Sequence, residues 1–175
     1  HIVQQIFAKA FKADYGITSI FDEFRLSEDN DKRIPIDITC DELERLAFET
    51  WGYVKEHIKI GATAAVVSFY GMPCDSAYAH VSCEGGLEDM EAWSNGGGRF
   101  GAIGAAGTYR GRVTMIGLCP HGVLPLLPKP GPEIADWYDV TKIGSLRLRI
   151  KQSAPAADTY TGEVIVKQYR PYAAA

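Results

Sequence analysis

Apolar and polar positions alternate most strictly near the C-terminus, where Leu146, Leu148 and Ile150 interleave with Arg147, Arg149 and Lys151. That is the period of a strand with one buried and one wet face. A connector rich in Ala, Pro, Asp and Gly leads to a second β-rich run, Val164-Ile165-Val166, closed by Tyr169, Arg170 and Pro171. The two runs predict an antiparallel hairpin with a loop longer than the tight two-residue type.

At the other end, Ile2, Val3, Ile6, Phe7, Ala10 and Phe11 recur at helical spacing, with Lys9 and Lys12 near the end and Gly16 beyond. This predicts an amphipathic helix or linker over 1–16. Segments 19–26 and 33–38, separated by the polar SEDNDKR, read as a hairpin. Thr39 and Glu42 have capping-box spacing and open a helix from Cys40 to about Thr50, with Leu43, Leu46 and Ala47 facing inward and Gly52 at its end.

The stretch from Ile58 to Tyr70 is apolar on both faces, as a buried central strand would be. Beyond it the composition shifts toward Gly, Ser, Asp and Asn. A strand is expected over 78–83, a helical turn over 87–93 and another strand over 109–118. CPHGVLPLLPKPGP carries prolines at 120, 125, 128, 130 and 132 and reads as a long extended loop. Strands outnumber helices and never alternate with them. The expected fold is therefore mainly β: an antiparallel β-sandwich of jelly-roll type with two short helices, occupying 17–175 as one domain.

Composition narrows the function. The 175 residues suffice for one domain with a real core. A net charge of −4 gives no general attraction for nucleic acid or an anionic membrane. No apolar run is long enough for a transmembrane helix. The chain begins at His1 without a signal-peptide pattern, so it is expected to be processed or a piece of something longer. Cys40, Cys74, Cys83 and Cys119 form no C-x-x-C pair, and reduced buried thiols are the expectation.

The chemical motifs are weak. Gly96-Gly97-Gly98-Arg99-Phe100-Gly101 matches G-x-G-x-x-G, but that fingerprint works only between a strand and a helix, and neither flank predicts one. Cys119 and His121 sit two apart, and His80 and Cys83 could complete a Cys₂His₂ zinc site given the right fold. Loop residues packed under prolines are the plainer reading. Glu84, Glu88, Asp89 and Glu91 lack EF-hand spacing. Arg147, Arg149, Lys151, Lys167 and Arg170 make the terminal segment basic on one side, as a solvated face or as a contact for an acidic neighbour or packaged nucleic acid. No catalytic, cofactor-binding or metal-ligating residue is assigned. Trp51, Trp93, Trp137 and Tyr138 are candidate stacking platforms should the sandwich bind carbohydrate.

The order of a Pro-rich loop, WYDVTKIGSLRLRI, a short polar loop and GEVIVKQYRPY resembles the end of major capsid proteins of the double-jelly-roll type, found in icosahedral viruses. The resemblance covers about a quarter of the chain. It implies a non-catalytic shell protein of the virion that self-associates, in trimeric capsomers that contact their neighbours. A double roll needs about twice this length, so this chain supplies one roll, either alone or as the C-terminal half of a longer protein. The competing expectation is a carbohydrate- or ligand-binding sandwich.

Overall fold

The computed structural model describes residues 2–12, 15–62, 66–83, 91–94, 98–103, 109–127, 133–153 and 160–169. In chain order the elements are β1 (Ile2–Phe11), α1 (Ile17–Ile20), β2 (Phe21–Glu28), β3 (Arg33–Thr39), α2 (Cys40–Trp51), β4 (Val54–Ala62), β5 (Val66–Tyr70) and β6 (Pro73–Cys83). They continue with β7 (Glu91–Ser94), β8 (Arg99–Ile103), β9 (Tyr109–Pro120), β10 (Val123–Pro125), a 3₁₀ turn (Ile134–Asp136), β11 (Tyr138–Asp139), β12 (Leu146–Gln152) and β13 (Thr161–Tyr169). Among the described residues the protein is mainly β, with antiparallel sheets and two α-helices, consistent with a β-sandwich.

Contacts divide the chain into two compact units: 1–10, 18–51 and 123–175 form one, and 11–17 with 52–122 form the other. The sequence-based expectation was a leading segment of 1–16 and one domain of 17–175.

The first unit holds two sheets. In one, β1 pairs with β10, β11 and β13; in the other, β2 lies between β3 and β12. The N-terminal segment expected as a helix is thus a strand. Its buried positions show why: Val3 and Gln5 point inward, and then, after a phase change, Ile6, Ala8 and Ala10. The buried Gln5 makes that change possible. Its Nε2 donates to the Leu127 carbonyl (2.9 Å), and its Oε1 accepts the N–H groups of Leu127 (3.1 Å) and Ile6 (2.9 Å). One side-chain amide thereby satisfies main-chain groups that burial would otherwise leave unpaired.

The predicted hairpin at 19–26 and 33–38 is present as β2 and β3, with Phe24 opposite Ile38 and Leu26 opposite Ile36. Its tip places Asp29, Asn30 and Asp31 at positive φ, which Asn and Asp tolerate better than other side-chain-bearing residues. The predicted helix follows as α2. Thr39 N–H donates to Glu42 Oε2 (3.1 Å), and Glu42 N–H donates to Thr39 Oγ1 (3.3 Å), the reciprocal pairing that the spacing implied. Gly52, at φ 71°, ends the helix in the left-handed conformation. Only Cys40 and Leu43 of α2 are buried; Leu46, expected inside, is half exposed.

Both C-terminal strands exist, yet they do not form the predicted hairpin. β12 pairs with β2, Leu148 facing Leu26 and Ile150 facing Phe24, whereas β13 pairs with β1 in the other sheet. Alternation in one run and β-rich composition in the other specified two strands; the connecting loop did not specify their partners. The proline-rich stretch is corrected as well. Val123–Pro125 forms β10 against β1, with Leu124, Leu126 and Leu127 buried. Residues 128–132 of that stretch lie outside the described residues.

In the second unit β9 is central, flanked by β4 and β6, and β8 lies between β5 and β7. Val113, Met115, Gly117 and Cys119 on β9 alternate inward. The apolar run expected as one strand over 58–70 is split between β4 and β5, which belong to different sheets. The residues 91–93, expected as part of a helical turn, begin β7, while 87–90 lie outside the described residues. Gly98, at φ 72°, donates to the Cys74 carbonyl (3.0 Å) and accepts from Gly71 N–H (2.8 Å). A Cβ there would stand 2.8 Å from the Pro73 carbonyl oxygen, so this position admits only glycine without a backbone shift.

Candidate functional site

The first unit carries three surfaces on which chemistry or recognition could be built. One is a cleft of about 680 Å³ lined in part by Glu28, a buried carboxylate at the end of β2. Burying a charge is costly unless it is paired, and here it is paired twice. Tyr138 Oη on β11 donates to Glu28 Oε1, and the Arg33 guanidinium lies 3.4 Å from Oε2. Burial, followed by the hydrogen bond to Glu28, drives the Tyr138 phenol well above its ordinary range, so it stays protonated and serves as a donor. Trp137, Asp29, Asp139 and Lys142 line the rim. Asp139 is held below its usual carboxylate value, chiefly by the Thr141 hydroxyl (2.6 Å).

The second surface is an apolar groove of about 390 Å³ between β3 and α2, lined by Ile36, Ile38, Leu43, Leu46, Trp51 and Leu126. Leu46 and Trp51 are each 50% exposed, so its walls are wet as well as apolar.

The third surface comprises the strand edges and the charged face of the β12–β2–β3 sheet. The basic residues singled out on β12 are partly neutralised across the ladder. Lys151 contacts Asp22 (2.7 Å) and Glu23 (2.8 Å), and these hydrogen bonds, Asp22 first, push its ammonium up to about 12. Arg25 lies between Asp37 (3.5 Å) and Asp31 (4.0 Å). Among the described residues, none pairs with Arg147 or Arg149. β13 is exposed on both faces: Val164 is 46%, Ile165 39% and Val166 46% exposed.

The histidines and cysteines are distributed differently from a zinc centre. On the β6–β9 ladder, His80 stands opposite Thr114 and Cys83 opposite Gly111. Those positions are five and eight residues along β9 from Cys119, hence about 17 Å and 27 Å at strand rise. Ligands of one zinc ion must all lie within about 2.3 Å of it, so the ladder cannot gather these four. Cys119 and His121 instead shape the turn after β9, at φ 51° and 56°, where Gly122 N–H donates to the Cys119 carbonyl (2.9 Å). Cys40, Cys74 and Cys119 are buried, and Cys74 Sγ lies 2.9 Å from the Cys119 carbonyl. The G-x-G-x-x-G segment leads from β7 into β8, which pair as antiparallel strands, with Trp93 opposite Gly101. A strand follows the glycines where pyrophosphate binding needs a helix N-terminus.

Of the candidate stacking residues, Trp137 and Tyr138 share the Glu28 cleft, Trp51 lines the apolar groove and Trp93 is on β7. The Glu28–Tyr138–Arg33 cluster was missed by sequence reasoning; its only local signal was a glutamate at the inward end of an otherwise apolar strand face. Among the described residues no helix is long and apolar enough to cross a membrane. No family model matches the chain, and neither a curated protein nor a solved structure matches it.

Proposed function

We propose that this chain is a structural protein of a viral shell, non-catalytic, built on an antiparallel jelly roll and working by self-association within the virion. The observation that carries the reading is β13, an apolar strand exposed on both faces. A solvent-facing strand of this kind is a template for pairing with another chain, and folded proteins normally blunt or cover it. The capsid-like order of the closing segments adds to this, as does the mainly antiparallel fold. Trimeric capsomers and contacts with neighbouring capsid proteins belong to the same proposal. Any contact with packaged nucleic acid would fall to Arg147 and Arg149, the cations of β12 that no carboxylate neutralises among the described residues.

Size-exclusion chromatography with light scattering tests it. The mass should rise with concentration, and a chain that stays monomeric at high concentration under every salt condition overturns the reading.

One observation favours a second reading, a carbohydrate-binding sandwich. The Glu28 cleft combines Trp137 and Tyr138 with carboxylate acceptors and the cations Arg33 and Lys142, the mixture of flat apolar surface and placed polar groups that a sugar requires. Reproducible glycan-array hits lost on Trp137→Ala would favour it over the shell.

A further inference from the structure

We propose that two copies of this chain join through β13, pairing antiparallel about a two-fold axis at Ile165. The inference rests on the self-association reading and gives it a contact and a register.

β13 pairs with β1 at one edge and, among the described residues, with no strand at the other. Its run Val164-Ile165-Val166 is exposed on both faces, and a Cβ added to Gly162 would meet nothing within 4 Å, so the strand is uncovered on that face as well. An unpaired, extended, apolar edge accepts another strand through main-chain hydrogen bonds. The sequence then says which strand.

Reading outward from Ile165, Val164 and Val166 come first, and Glu163 and Lys167 next. In an antiparallel pair centred on Ile165, each Val164 faces the other copy's Val166, and each Glu163 faces the other copy's Lys167. Both charge pairs form at once, as an isologous contact requires. A parallel in-register pair would oppose Glu163 to Glu163 and Lys167 to Lys167. Sliding the antiparallel pair by two residues puts Lys167 or Glu163 opposite Ile165 and loses both ion pairs. One arrangement therefore satisfies the charges, and like charges directly opposite disfavour the parallel one. The Lys9–Glu163 contact of 3.7 Å lies between exposed side chains and is too weak to withhold Glu163. A two-fold contact of this kind would link neighbouring capsomers rather than close a trimer.

Sedimentation velocity over a concentration series of the full chain tests it, with Lys167→Glu and the swap Glu163→Lys/Lys167→Glu as variants. Lys167→Glu opposes two carboxylates at both ends of the contact and should weaken association about tenfold or more. The swap is again self-complementary and should restore association to within about threefold of the original. Hydrogen exchange on the unsubstituted chain reads the same contact without a variant, because the amides of 161–169 that point away from β1 should gain protection as concentration rises. If the chain associates while Lys167→Glu changes nothing, if the swap stays as weak as the single variant, or if mass grows without added protection in β13, the strand contact is wrong and the shell reading survives. A monomer at every concentration overturns both.

Discussion

Two buried polar side chains hold the first unit in register, and both are legible only in three dimensions. Gln5 looks in sequence like a polar position on an amphipathic helix, yet it bridges both main-chain groups of Leu127. Glu28 ends β2 inside the protein, where Tyr138 and Arg33 offset the cost of its burial. The tyrosine has a pH consequence. Its phenol ionises in the unfolded chain near pH 10 and only at higher pH in the folded one. The stability due to that shift is fully present below pH 10 and is lost as pH rises through the folded value. Tyr138→Phe should therefore flatten the fall in thermal midpoint on the alkaline side in a pH series. At neutral pH it should also cost about 1–3 kcal/mol, because Glu28 keeps only Arg33. An unchanged alkaline slope would mean that Tyr138 does not titrate with folding.

At the scale of elements, the success of sequence reasoning follows the distance over which each element is determined. The β2–β3 hairpin and the cap of α2 were legible because turn residues and cap partners lie within a few positions of one another. Thr39 bonds Glu42 through both its hydroxyl (2.8 Å) and its backbone N–H. Thr39→Ala should lower stability by about 1 kcal/mol in urea denaturation, with the loss smaller for Thr39→Ser. The hydroxyl of Thr39 also holds the Glu42 carboxyl below its ordinary value, so this cap stabilises above the unfolded carboxyl value and weakens as pH falls through the folded one. β1 was not legible, because Ile2, Val3, Ile6, Phe7, Ala10 and Phe11 fit one face of a helix, whereas in the strand only Val3, Ile6 and Ala10 of them are buried. Pairing with β10 and β11, more than a hundred residues away in sequence, settled it. The same reason explains β12 and β13. Each strand was readable from its alternation or β-rich composition, but their separation into two sheets depends on partners far away along the chain.

At the scale of the molecule, antiparallel pairing leaves several strands with an outer edge, and among the described residues β13 carries an apolar run that is exposed. Val164, Ile165 and Val166 face water in the isolated chain, and covering them is the gain that association offers. No local rule of sequence reading distinguishes such a strand from a core one; both are apolar runs, and only the exposures separate them. The shell proposed above requires that this chain form ordered assemblies with itself. Negative-stain electron microscopy of the purified chain, imaged across a series of rising concentration and salt, tests it most directly. Discrete capsomer-sized particles that join into curved arrays or closed shells are expected. Fields that contain only monomer-sized particles throughout the series would contradict it.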